Sequence, residues 1–364
     1  MIGPIENLLE SAPWLGSYYF RHAGRLKRSY CLLLHRLGIL RPHAFVQWLA
    51  TYRCNFACPY CEASAADAGP GELSTQEAKA LIDDIRGMEV RRLVISGGEP
   101  LTRPDIIEVM DHANGLGLSL GLVTNGYLVE KMWERLRRFR YFLFFTSIDG
   151  LRDYNDTIRK KSGAFAKTLG SLKLFADIRV PIRMVNTVVH PGNLDQLEEL
   201  GEILQGAGAT HWHLSPTAKV GRAAGTDQYS LNGQQLQGLA DFIAGNKSGI
   251  KVEFGEAHSY LGFLDGRSIG KPFFCGAGLT RCSVMPDGEV LGCHTVFDSR
   301  LSEGNIRDQP LSRIWKEGFL RFRKPRVHPS CAGCSMLKVC QGGCWGEMER
   351  DGMCLKSVWE GRCG

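Results

Sequence analysis

The chain has 364 residues, 44% of them hydrophobic, and a formal net charge of +6. That size supports a sizeable core and favours two domains, and so mild a charge excludes the basic surface of a nucleic-acid-binding protein. Its thirteen cysteines would spell a disulfide framework in a small secreted domain, but this chain is large, lacks a secretory signal pattern and clusters its thiols at short spacings. Metal binding in a reducing cytoplasm is therefore expected, and no apolar run reaches the roughly 18 residues of a membrane-spanning helix.

Residues 1–43 read as an N-terminal helical extension. From Ser11 to Cys61 there are several Lys and Arg and no acid, and residues 30–37 have the pattern of one amphipathic helix. Two uses fit it: a helical cover for one end of the main domain, or a basic dock for an acidic peptide or a membrane surface. Cys31 sits among leucines and reads as a small buried hydrophobe.

From residue 44 strands and helices alternate. Strands are predicted at 45–49, 93–95, 118–123, 142–146, 184–189 and 211–214. Ser74 and Glu77 form a capping box opening a helix that runs to about Met88. Thr102-Arg103-Pro104-Asp105 opens another helix, and a further one covers 194–204. Six strand–helix units predict a parallel sheet with right-handed crossovers, covered on its outer face. Six units fall short of the eight of a closed barrel, so the expected fold class is α/β, a partial (β/α)6 TIM-like barrel over residues 44–270. In barrels of this kind the reacting groups sit at the C-terminal ends of strands.

The motifs fall at such ends. After the first strand, Cys54, Cys58 and Cys61 place three thiols in eight residues. Thiolates select zinc, copper(I) or iron–sulfur. Structural zinc wants four ligands and this run holds three, which leaves a zinc site with a distant fourth ligand or a cubane with one open iron. After the second strand comes Gly97-Gly98-Glu99-Pro100; two glycines let a ligand approach the backbone, and Glu99 can accept from an ammonium group. Thr124 and Asn125 follow the third strand, and Ser147-Ile148-Asp149-Gly150 the fourth, as pocket walls or as turns. Arg159 reads as an anion contact or a solvated residue. His211 and His213 share one face of the sixth strand, where packed or hydrogen-bonded histidines are the expectation.

Beyond residue 216 the pattern changes: a loop at Gly221-Arg222-Ala223-Ala224-Gly225, a helix over 236–243, a short strand at Val252-Glu253-Phe254, and a linker over 266–271. Then come Cys275, Cys282, a hairpin turn at Asp287-Gly288, Cys293, a helical stretch near 311–322, and Cys331, Cys334, Cys340 and Cys344 separated by two, five and three residues. Cys354 and Cys363 end the series. Taken alone, this tail also suits a zinc ribbon.

Cys54, Cys58 and Cys61, with Tyr60 before the last of them and the Gly-Gly-Glu-Pro turn one strand later, resemble the signature of the radical S-adenosylmethionine (SAM) enzymes. The tail resembles their SPASM extension, named for the subtilosin, PQQ, anaerobic-sulfatase and mycofactocin maturases. The resemblance spans roughly residues 44–364 and implies three [4Fe-4S] clusters and SAM. Cys54, Cys58 and Cys61 would hold the SAM-binding cluster. Cys275, Cys282, Cys293 and Cys344 would hold one auxiliary cluster in a domain over 271–364. Cys331, Cys334, Cys340 and a C-terminal cysteine would hold the other, with family spacing favouring Cys363 over Cys354. By the same resemblance Gly97, Gly98, Glu99 and Pro100 bind the methionine amino group, Ser147 and Asp149 the ribose, and Arg159 the carboxylate, with Tyr60 beside the cofactor. Reductive cleavage of SAM then gives a 5′-deoxyadenosyl radical that abstracts a hydrogen atom.

The resemblance implies an oxidoreductase that modifies a ribosomally made peptide by cross-linking or oxidation, or else acts on porphyrin side chains in haem biosynthesis. A non-enzymatic zinc or electron-transfer protein is the reading from another class, and the Gly-Gly-Glu-Pro turn counts against it. Sulfatase maturases place an acid after the third cysteine of the first auxiliary cluster; His294 occupies that slot, as a base near neutral pH or as a hydrogen-bonded histidine. Expected partners are a peptide or small-molecule substrate and a flavodoxin or ferredoxin reductant. Residues 1–43 are too short for the leader-binding domain that some relatives carry ahead of the barrel, so a separate peptide-recognition protein or the basic extension is expected to serve instead.

Overall fold

The computed structural model describes residues 13–39, 42, 45–67, 69, 71–246, 248–255, 274–295, 297–323, 329–334 and 337–344. A helix, α1 (Pro13–Arg36), precedes β1 (Phe45–Leu49), α2 (Thr75–Gly87), β2 (Arg92–Ser96), α3 (Ile106–Gly115), β3 (Ser119–Val123), α4 (Val129–Leu136) and β4 (Tyr141–Ser147). Then follow α5 (Arg152–Ile158), α6 (Ala164–Asp177), β5 (Ile182–Val189), α7 (Leu197–Gly206), β6 (His211–Pro216), α8 (Gly233–Gly245) and β7 (Lys251–Phe254). The C-terminal part contributes β8 (Arg281–Val284), β9 (Val290–Leu291), α9 (Leu311–Glu317), α10 (Leu320–Arg323) and α11 (Leu337–Cys340).

All six expected barrel strands are present and pair in parallel, and the short strand expected at Val252-Glu253-Phe254 is β7, a seventh at one edge, giving the order β7-β6-β5-β4-β3-β2-β1-β8-β9. The other edge departs from expectation. β8 lies beyond residue 271 yet pairs in parallel with β1, Phe45 opposite Arg281 and Trp48 opposite Val284. The sheet therefore crosses the expected boundary. β9 closes the predicted hairpin, with Asp287-Gly288 at its turn and Gly288 at φ 89°.

The apolar faces explain the layering. Trp48, Phe144 and Trp212 on the strands and Phe175 on α6 are fully buried, and the rings of Phe144 and Phe175 stack with centroids 4.0 Å apart. The capping box forms as expected, the Ser74 hydroxyl accepting from Glu77 N and the Glu77 carboxylate from Ser74 N. The expected helix start at 102–105 is instead a 3-10 turn over Pro100–Thr102, with α3 beginning at Ile106. Arg103 leaves the helical path because its guanidinium is buried, donating to Ala50 O at 2.9 Å, to Leu73 O at 2.7 Å and to Asp105.

The inner face of α1 packs on the C-terminal part: Cys31 is fully buried, Arg28 donates to Phe322 O, Lys27 lies over the Phe274 ring, and His35 meets Arg323. Among the described residues no helix is long and apolar enough to cross a membrane. The linker expected over 266–271, and Cys354 and Cys363, lie outside the described residues.

Candidate active site

After β1 the chain turns across the C-terminal ends of the strands. Gly98 N donates to Thr51 O at 2.8 Å and Glu99 N to Arg53 O at 2.7 Å, tying the end of β2 to the start of the cysteine loop. A Cβ on Gly97 would stand 2.6 Å from Thr51 O, and one on Gly98 2.4 Å from Arg53 O. These glycines thus make room for the backbone of the cysteine loop itself, rather than chiefly for a ligand; Gly97 also lines the cavity below.

Cys54, Cys58 and Cys61 fall in one cluster with Phe56, Tyr60, Ala164 and Ala223. Burial pushes the Cys54 thiol up to about 11 and raises Cys58 as well, so a bound metal must displace their protons. Among the described residues no three Cys, His, Asp or Glu side chains converge as they would on a single ion. Ligands about 2.3 Å from one zinc would crowd together, whereas a cubane takes each thiolate on a different iron. The donor set, three soft thiols on one loop, fits a cluster.

Sequence reasoning missed the brace on this loop. Arg222, read as part of a plain loop, donates from Nε to Cys58 O at 2.6 Å, from Nη1 to Ala65 O at 2.8 Å, and from its backbone N to Cys61 O at 3.0 Å. Gly221 precedes it at φ 56°, where a Cβ would stand 2.2 Å from Cys61 O. The loop after β6 thus clasps the loop after β1. A Gly-Arg pair after a strand was the available signal, but nothing local to it names the partner.

Glu99 carries links that its sequence did not show. It is fully buried, and its carboxylate accepts from Leu101 N (3.0 Å), Thr124 Oγ1 (2.7 Å) and Asn125 N (2.7 Å). The side chain thus joins the ends of β2 and β3, taking three of the about four hydrogen bonds that a carboxylate can accept. Asn125 extends the link to the cysteine loop through Asn55 at 2.7 Å. Burial pushes the Glu99 carboxyl from its ordinary 4.5 up to about 7, against the pull of those donors. Between these values the folded chain keeps a proton that the unfolded chain has released, so stability present below about 4.5 is lost as pH rises towards about 7. The melting temperature should fall over that interval, and Glu99→Gln should remove this part of the slope; an unchanged slope would place the titration elsewhere.

Asp149, Tyr60 and Arg159 form one buried unit. The Asp149 carboxylate accepts from Tyr60 Oη at 2.6 Å and Val188 N at 2.8 Å, and Arg159 Nη1 lies 3.3 Å away. Both Asp149 oxygens are engaged, so this residue positions Tyr60 and Arg159 more than it offers a free acceptor. Arg159 also donates to Ser147 O and sits 5.4 Å from the Phe56 ring centroid. Burial works against its charge, and Asp149 with the neighbouring Cys58 and Tyr60 outweighs it, holding Arg159 more firmly protonated than usual. Its buried Nε lacks a hydrogen-bond partner among the described residues. His190 and Tyr229 pack around Tyr60 at 6.0 and 5.8 Å between centroids.

Cys58, Cys61, Gly97, Ser147, Asp149 and Arg159 open on one cavity of about 560 Å³. Its lining includes apolar Leu49, Val94, Val123, Phe145 and Met184, and polar Asn186, His213, Ser215 and His294. His213 lies 3.9 Å from Glu253, whereas His211 bonds to Thr210 Oγ1 and is not part of the lining. His294 hydrogen-bonds the Cys293 thiol. Burial would raise that thiol, but His294, Arg281 and Thr295 hold it down to about 6. Of the tail cysteines, Cys282, Cys293 and Cys344 are buried, Cys275, Cys331 and Cys340 half-buried and Cys334 exposed.

Residues 48–204 match the family profile described as the radical SAM superfamily, and residues 275–335 match SPASM, an iron–sulfur cluster-binding domain. The chain is 30% identical over 309 residues to the mycofactocin maturase MftC of Mycolicibacterium smegmatis, covering 82% of this chain and 76% of that protein. It is 29% identical over 326 residues to the AdoMet-dependent heme synthase of Methanosarcina barkeri, covering 82% and 90%. Its fold is similar to that of Streptococcus suis SuiB bound to precursor peptide SuiA, with a TM-score of 0.67 at 17% identity over 91% of this chain and 77% of that one. The chain belongs to the radical SAM superfamily and carries a SPASM domain. It is an enzyme of iron–sulfur clusters and SAM.

Proposed function

We propose that the chain is a cytoplasmic peptide maturase, taking electrons from a flavodoxin or ferredoxin and modifying a ribosomally made peptide. The carrying observation is that the ends of β1, β2 and β4 bring Cys58, Cys61, Gly97, Ser147, Asp149 and Arg159 onto one cavity that continues past them. Cys54, Cys58 and Cys61 hold the SAM-binding [4Fe-4S] cluster, whose chemistry is reductive cleavage of SAM to a 5′-deoxyadenosyl radical. Cys275, Cys282, Cys293 and Cys344 hold a second cluster in a domain running from about residue 271. Cys331, Cys334, Cys340 and Cys363 hold a third. Arg159, kept charged by Asp149, meets the carboxylate of SAM, and Ser147 meets its ribose. The end of β2, Gly97, Gly98, Glu99 and Pro100, serves the amino group of SAM. The apolar wall keeps water from the reacting atoms. Asn186, His213 and Ser215 offer hydrogen bonds to a peptide backbone, and His294 accepts a proton from the substrate.

The haem-synthase relatives favour a second reading, a tetrapyrrole substrate. Against it, the cavity lining carries as many acids (Glu62, Asp149) as arginines (Arg92, Arg159), and Arg159 is paired. Few cations remain for the several carboxylates of such a ring. The reduced, reconstituted enzyme should be incubated with SAM and either an iron coproporphyrin or short precursor peptides from its source, any encoded beside its gene first. One of these peptides should raise 5′-deoxyadenosine production and change in mass. Stimulation by the porphyrin, with decarboxylated product, would replace the peptide reading.

A further inference from the structure

Five of the seven large hydrophobic side chains exposed among the described residues fall within residues 26–39: Leu26 (62%), Tyr30 (59%), Leu33 (52%), Leu37 (60%) and Ile39 (51%). The first four recur at spacings of four, three and four. At 3.6 residues per turn they fall within a stripe about 60° wide, on the opposite side of α1 from buried Cys31. Such a patch marks an interaction site. Its width is that of a strict two-per-heptad seam, which suits one partner helix. A helix lying in a lipid surface carries a broader apolar face.

Charge selects the partner. Residues 25–39 contain no acid; Arg28 and His35 face the C-terminal part, and Arg25, Lys27 and Arg36 flank the stripe, Lys27 also lying over Phe274. In the heptad that puts Leu26 and Leu33 at d and Tyr30 and Leu37 at a, Lys27 falls at e and Arg36 at g, the positions that set partner choice. Tyr30 and Ile39 also wall a hollow of about 610 Å³ that reaches the exposed Arg91 and Arg92. Its one acid, Glu89, has a partner of its own. A second copy of this chain would set like charges against one another. We propose that the outer face of α1 docks an acidic amphipathic helix of a separate polypeptide, with leucine-type residues in its seam and Glu or Asp at its flanks. The docking does not depend on what the cavity modifies.

The test uses the full-length reconstituted protein and a fluorescent acidic probe of about four heptads, with Leu at a and d and Glu at e and g. The wild type should bind this probe and not its counterpart with Lys at e and g. Leu33→Glu and Arg36→Glu should each weaken binding by about tenfold or more, and Leu320→Glu, exposed elsewhere, should leave it unchanged. Melting temperatures close to wild type show that the variants fold, as expected for exposed positions. Absence of binding, or equal binding by all the variants, overturns the proposal. So does binding of anionic lipid vesicles without binding of the probe, which makes the face a membrane contact. A dimer in sedimentation that Leu33→Glu abolishes would assign the face to a second copy.

Discussion

If the proposed assignment of three cubanes holds, replacing Cys54, Cys58 and Cys61 together by Ala should abolish reductive SAM cleavage while leaving about two-thirds of the iron in place. The three thiols share one small cluster on the loop after β1, while the thiols of the C-terminal part lie beyond β7 in sequence. The fold should survive, because the loop's backbone ties to Gly98, Glu99 and Arg222 do not pass through sulfur. Iron and sulfide counted after anaerobic reconstitution, with 5′-deoxyadenosine measured on the dithionite-reduced protein, decide it. Undiminished 5′-deoxyadenosine would move the SAM site away from these cysteines. Zinc in place of most of the iron in the unaltered protein would overturn the cluster reading altogether.

The second large effect is expected at Arg222, which touches no thiol. Its guanidinium fork spans the carbonyls of Cys58 and Ala65, and charge-assisted hydrogen bonds of this kind are each worth about 1.5–3 kcal/mol. Arg222→Ala frees the loop that sets the distances between thiols. The SAM-binding cluster should then lose iron to a chelator about tenfold faster or more, while the clusters of the C-terminal part lose it at the wild-type rate. Arg222→Lys keeps the charge, but a single ammonium cannot replace the planar fork across both carbonyls, so its rate should be intermediate. Gly221→Ala should resemble Arg222→Ala, since its Cβ would collide with Cys61 O at a φ that disfavours side chains. The electron paramagnetic resonance signal of the reduced cluster, with and without SAM, separates this site from the others. Equal lability of all clusters in Arg222→Ala would show that the brace is incidental.

Much of this protein was legible from spacing alone. The ligand set proposed for Cys54, Cys58 and Cys61 is local, because one short loop must bring its own donors together, and the residue types themselves point to the chemistry. The strands were legible because each is a short apolar run closed by a turn, and the capping box at Ser74 and Glu77 because its two hydrogen bonds span three residues. Tertiary structure alone decided the rest. Arg222 meets Cys58 O across 164 positions of sequence, and its acceptor is a backbone carbonyl, a group every residue has and no residue type announces. Glu99 has the residue type of a ligand; only packing showed that its buried carboxylate also accepts from Leu101, Thr124 and Asn125. The pairing of β8 with β1 was hidden because a strand edge advertises only unpaired backbone. The two faces of α1 were hidden likewise: its sequence is apolar around Cys31 and around Leu33 alike, and only the chain folded against Cys31 decides which face is left to meet another molecule.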